Sequence, residues 1–152
     1  MMDIGTASAV HALSKTAWRL GSTLSKLNHE AITVETAVRN LGGEVRSLSN
    51  ECDLVYDNLE EVASKSETGS PPPYDVDGTV WNCLATQVEE TGQTLQELEL
   101  FVKSLAVGNS SFNSQAQRQR KLDKSKDQVA SIRIRICRHT NNLHTTLLLI
   151  NT

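Results

Sequence analysis

AITVETAVRNLGGEVRSLSNECDLVYDNLEEV, residues 31–62, decides the fold. Within it Ala31, Val34, Val38, Leu41, Val45, Leu48, Cys52, Val55, Leu59 and Val62 recur with 3-4-3-4-3-4-3-4-3 spacing. That is a heptad seam of apolar or small residues, the mark of a long helix with one covered side. Such a helix is not stable alone, because each aliphatic side chain left in water forgoes about 1.5–3 kcal/mol of burial. Either the rest of the chain covers the seam or a second copy does.

Three further stretches have the right pattern to cover it. Val10, Leu13, Ala17, Leu20, Leu24 and Leu27 define a first helix over 4–27. Asn28 is then expected to cap the long helix over 29–66. Trp81, Leu84, Val88, Thr91, Leu95, Leu98, Val102 and Leu105 repeat the seam in a third helix over 78–107, with Asp77 offered as its cap. A fourth helix over 114–151 carries Leu122, Val129, Ile132, Ile136, His139 or Thr140, Leu143, Leu147 and Ile150. Taken through Thr140, that last series contains a four-residue slip, which would unwind the seam locally. The IRIRI run at 132–136 alternates as a strand does, but a lone strand has no partner in this chain and is read as helix.

Composition agrees. Aromatic residues make up 4% of the 152, too few for a strand-rich core and enough for one of Leu, Val and Ala. All three prolines fall at 71–73, in the segment 67–77. The expectation is an all-α, single-domain antiparallel bundle of four long helices, with a Pro-rich loop between the second and third. Gly42-Gly43 lies in mid-helix without disturbing the register, which predicts a bend or a close helix approach. The predicted core seam is Val38, Leu41, Val45, Leu48, Val55, Leu59, Leu84, Val88, Leu95, Leu98, Ile132, Ile136 and Leu143.

Charge is unevenly placed. Residues 44–100 carry 13 acidic and 2 basic side chains, while 115–152 carry 8 basic and 2 acidic. Arg118, Arg120, Lys121 and Lys124 form a candidate basic face. It either lies against the acidic helices or meets an anionic surface; with a net charge of −3, nucleic acid is not favoured. Lys15, Trp18, Arg19 and Lys26 form a candidate membrane or partner face on the first helix. Arg133 and Arg135 flank the fourth seam, Glu44 and Glu51 the second and Glu99 the third, so interhelical ion pairs are expected.

Catalytic patterns are missing. There is no Glu-x-x-His pair, no GxxxxGK phosphate loop and no Gly-x-Ser-x-Gly elbow. Cys137, His139 and His144 do not share a helix face at ligand distance. His139 is read as a core-edge histidine with a hydrogen-bond partner, and His11 and His29 as surface residues. Cys52, Cys83 and Cys137, odd in number and without CxxC spacing, are read as buried small hydrophobes in a reducing compartment. No enzyme activity, cofactor, metal or small-molecule substrate is expected. With no long apolar run, the chain is expected in the cytoplasm or peripheral at membranes.

Pro71-Pro72-Pro73-Tyr74 fits the Pro-Pro-x-Tyr ligand of WW domains, with Pro71, Pro72 and Tyr74 as its fixed residues. The alternative is a stiff spacer between two helices.

Three phrases together resemble a known family: MDIGTASAVHALSKTAWRLGSTLSKL at 2–27, LGGEVRSLSNECDLVYDNLEEV at 41–62 and IRIRICRHTNNLHTTLLLIN at 132–151. They are similar to the N-terminal domain of fungal STAND (NLR-like) proteins of the HeLo-like group, a domain type also named for the azaphilone pigment cluster protein L. The resemblance implies a helical effector or adaptor module preceding a nucleotide-switch domain. In some members it implies a programmed-cell-death effector that attacks membranes with a released N-terminal helix. This sequence departs from those executioners, because His11, Lys15 and Arg19 interrupt the first segment. A Lys or Arg at mid-bilayer costs about 2.5–3.5 kcal/mol, so surface binding fits better than spanning.

Three functions are therefore carried forward. The first is a non-enzymatic signalling and interaction domain binding a protein partner or itself. The second is a membrane-active cell-death effector acting through its amphipathic first helix, and the third a structural self-associating coiled coil.

Overall fold

The computed structural model describes residues 4–30, 36–66, 78–106, 120 and 126–150. Four long helices account for all of these but Gly78 and Arg120: α1 (Ile4–Glu30), α2 (Thr36–Ser66), α3 (Thr79–Ala106) and α4 (Lys126–Ile150). Among the described residues there is no strand, so the IRIRI run is helical as read. The Pro-rich segment 67–77 and residues 114–119 and 121–125 of the expected fourth helix lie outside the described residues.

One boundary differs from expectation. Asn28 does not cap α2, because α1 continues through Glu30. Asn costs a helix interior well under 1 kcal/mol relative to Ala, and neither Gly nor Pro stands there to stop it. At the start of α3 the expected cap, Asp77, lies outside the described residues, and the Gly78 carbonyl accepts the Asn82 amide at 3.0 Å. The Gly78 φ of 77° lies in the left-handed region that favours glycine.

The helices form a four-cornered ring in which α1 touches α2 and α3, and α4 touches the same two; α2 and α3 are diagonal. Side-chain bonds give the directions. Ser14 meets Ser49, and Arg46 packs beside Gly21, so α1 and α2 are antiparallel. Thr94 meets His139 and Glu97 meets Arg135, which makes α3 and α4 antiparallel too. Leu13 lies against Gly92 and Arg19 pairs with Glu99, so α1 and α3 are parallel. Glu44 pairs with Arg133 and Glu51 with His144, so α2 and α4 are also parallel. Successive helices thus alternate in direction, yet two of the four side-by-side contacts are parallel rather than antiparallel. A connection as long as 67–77, unlike a short turn, does not oblige the helices it joins to be neighbours.

The seam read from 31–62 is an internal core. Leu41, Val45, Leu48, Cys52, Val55 and Leu59 are fully buried, and Leu84, Leu95, Leu98, Ile132, Ile136 and Leu143 close over them. Val88 packs at the margin of this core. Val38 belongs to α2, but its side chain lies outside the described residues, as do Ala31 and Val34.

On α4 the buried series is Val129, Ile132, Ile136, His139, Leu143, Thr146 and Ile150, with Leu147 beside it. Its spacing is 3-4-3-4-3-4, so the expected slip disappears and His139, not Thr140, holds the core position. The close approach foreseen at Gly42 is present. A Cβ on Gly21 of α1 would lie 3.6 Å from the Gly42 carbonyl oxygen and 2.9 Å from Arg46 Cγ. Small residues let the two backbones come together, and Ser49 donates across the contact to the Ser14 carbonyl at 3.0 Å. The Ser14 hydroxyl donates to the Asp53 carboxylate.

Candidate functional site

Folding consumes the seams, so recognition chemistry must lie on what they leave outside. Two outer faces stand out. On α1, Lys15, Trp18, Arg19 and Lys26 are all exposed, with Trp18 at 58%. Their spacings of three, four and seven residues place them on one outward side of the helix. Arg19 is held by Glu99 of α3 at 2.8 Å, which ties one edge of this basic-aromatic face to the bundle.

The second face follows the outer edge of the α2/α4 contact. Ile134 is 68% exposed, Leu148 55% and Leu54 48%. Leu54 lies one turn from Glu51 and Leu148 one turn from His144, so both flank the bond between those residues, which measures 2.9 Å. Ile134 borders an open groove of about 350 Å³, lined also by Glu44, Ala130, Arg133 and Cys137. In its wall Arg133 Nε donates to Glu44 Oε1 at 2.8 Å. Burial, reinforced by the nearby Glu44 carboxylate, pushes the Cys137 thiol up. Cys137 is therefore a poor nucleophile there.

The remaining expected positions fall out as follows. Pro71, Pro72 and Tyr74 lie outside the described residues, and so do Arg118, Lys121 and Lys124 of the basic face; Arg120 is exposed. Of the expected ion pairs Arg133 with Glu44 forms, whereas Arg135 takes Glu97, at 2.7 Å, and the partners of Glu99 and Glu51 are Arg19 and His144. Arg135 and Glu97 hold each other in the charged form, with Glu97 pulled below and Arg135 pushed above its usual range.

Two surface or core assignments are corrected. His11 is half-buried, stacked on Tyr56 with ring centroids 4.6 Å apart. Its Nδ1 is buried and finds no hydrogen-bond partner among the described residues. The α1/α2 approach is close enough there to trap a ring that the sequence pattern put on the outside. Cys83 is exposed rather than buried, because it lies off the α3 seam. Cys52 is buried, and burial is the main cause pushing its thiol up to about 12. His139 is buried as read, with Nε2 2.8 Å from the Thr94 hydroxyl oxygen.

Among the described residues no cluster of His, Cys, Asp or Glu could hold a metal ion, and no helix is long and apolar enough to cross a membrane. Comparisons of the chain with protein-family models, with curated proteins and with solved structures find no match.

Proposed function

We propose that this chain is a non-enzymatic helical signalling and interaction module, working as the N-terminal effector or adaptor unit of a fungal NLR-like receptor. One observation carries the binding part of this reading. The bundle closes its own core and still leaves Leu54, Ile134 and Leu148 exposed along one outer edge. Single exposed aliphatics are ordinary, but a row along one contact is what an interaction surface offers a partner. The receptor part rests on the phrases at 2–27, 41–62 and 132–151 and on their family resemblance.

In such a receptor the module would be brought together with its copies when the switch domain assembles. Fusing the chain to an inducible dimerising tag in fungal cells imitates that step. Growth arrest or a transcriptional response on addition of the dimeriser is expected, and a silent dimer would overturn the reading.

The exposed Trp18 among Lys15, Arg19 and Lys26 favours a second reading, a membrane-active effector. An amphipathic side of this composition suits an anionic lipid surface. However, α1 buries Val10, Ala17, Leu20 and Leu24 in the bundle, so insertion requires its release at a cost of several buried side chains. Dye leakage from anionic liposomes separates the two readings. Leakage that Trp18→Ala abolishes supports the effector, and binding without leakage supports the adaptor.

A further inference from the structure

The α3/α4 contact is held by polar side chains in a row. The Thr146 hydroxyl donates to Gln87 Oε1 at 3.0 Å, His139 meets Thr94 at 2.8 Å, and Arg135 donates to Glu97 at 2.7 Å. His139 is the buried titratable member, 3% exposed, and it occupies a seam position between Ile136 and Leu143. The Thr94 hydroxyl also lies 3.2 Å from the Glu90 carbonyl oxygen, to which it can donate. Its oxygen is then free to accept from Nε2–H, which leaves Nδ1 as the nitrogen that takes a second proton. A second proton would put a full charge into an apolar seam. The charged groups that act on the ring are Glu90 of α3, which favours the proton, and Arg135 and Arg138 of α4, which oppose it.

We propose that the α3/α4 contact is an acid-released latch: a second proton, taken at Nδ1 while Nε2–H keeps its bond to Thr94, charges the His139 ring inside the seam and lets α3 part from α4. The sign follows from burial. Inside the closed contact, burial first and then the Arg138 charge hold the imidazole below its ordinary 6.5, the value it regains once exposed. As pH falls from 6.5 toward the closed-state value, the open form takes up the proton and the closed form does not, so opening is favoured. The α2/α4 contact also holds a histidine, but His144 is 56% exposed, with Nδ1 2.9 Å from Glu51 Oε1.

Hydrogen exchange of the whole chain, corrected for intrinsic rates, tests this at about pH 7 and about pH 5.5. For one histidine, opening of α3 and α4 is expected to rise by up to about eightfold over that range. His139→Gln should abolish the rise. Persistence of the rise in that variant, or an equal loss of protection in α1 and α2, would overturn the latch. Should the variant fail to fold, the wild-type imidazole decides by NMR. Titration below 6.5 supports the proposal, and titration at or above 6.5 ends it.

Discussion

Gly21 and Gly43 are one residue type in opposite situations. A Cβ on Gly43 meets nothing within 4 Å, so alanine there adds helix propensity and disturbs no neighbour. Gly43→Ala is expected to stabilise the bundle by about 0.5–1 kcal/mol. A Cβ on Gly21 would sit 2.9 Å from Arg46 Cγ, near the base of that side chain rather than its mobile end. Overpacking of this kind costs about 1–3 kcal/mol, which outweighs the propensity gain. Gly21→Ala should therefore destabilise, and urea midpoints of opposite sign for the two variants check the pair. The cysteines divide in the same way. Cys52 is buried with its thiol near 12, while Cys83 is exposed. At mildly alkaline pH, iodoacetamide should modify Cys83 first and reach Cys52 only on unfolding. Mass spectrometry of the native protein showing both modified at one rate would contradict the burial.

At the scale of the helix, α2 was legible because its seam is apolar throughout, and burial then follows from composition. On α4 the pattern stayed ambiguous between His139 and Thr140, because a count of apolar residues cannot choose between two polar ones. What decides is the opposite helix: Thr94 satisfies His139, and Gln87 satisfies Thr146. Those partners are 45 and 59 residues away in sequence, beyond any local spacing rule. The same limit explains Arg135, whose flanking position was foreseen but whose partner is Glu97. That pair makes a pH prediction. Arg135 holds Glu97 below its ordinary 4.5, so its contribution is present above 4.5 and lost as pH falls through the lowered value. The Glu97 side chain is 41% exposed, and solvent screening keeps the pair under about 1 kcal/mol. Glu97→Gln should lower the urea midpoint slightly at neutral pH and low salt, with the difference from wild type vanishing in strong acid. A variant that stays equally weakened at both extremes would mean packing, not charge, carries the effect.

For the whole molecule, four apolar stripes were enough to read an all-helical bundle, because each helix needs cover and the others supply it. The order of helices around the ring was not readable. It depends on α2 and α3 taking diagonal corners, and the parallel pairings follow from that choice. Part of the outer α2/α4 edge was readable. In IRIRI the 3-4 spacing puts Ile132 and Ile136 in the seam and leaves Ile134 off it, and α4 buries the first and last and leaves Ile134 68% exposed. Exposure of this kind separates binding from stability, and two variants exploit it. Leu143→Ala removes a fully buried side chain from the common core and should cost about 2–5 kcal/mol. Ile134→Ser combined with Leu148→Ser touches only exposed side chains and should shift stability by no more than about 0.5 kcal/mol per site. If the α2/α4 edge is the interaction surface, this double variant keeps its urea midpoint and loses the response to induced dimerisation. A double variant that is equally stable and equally active would move the binding surface away from α2/α4, leaving the Trp18 side of α1 as the face to substitute next.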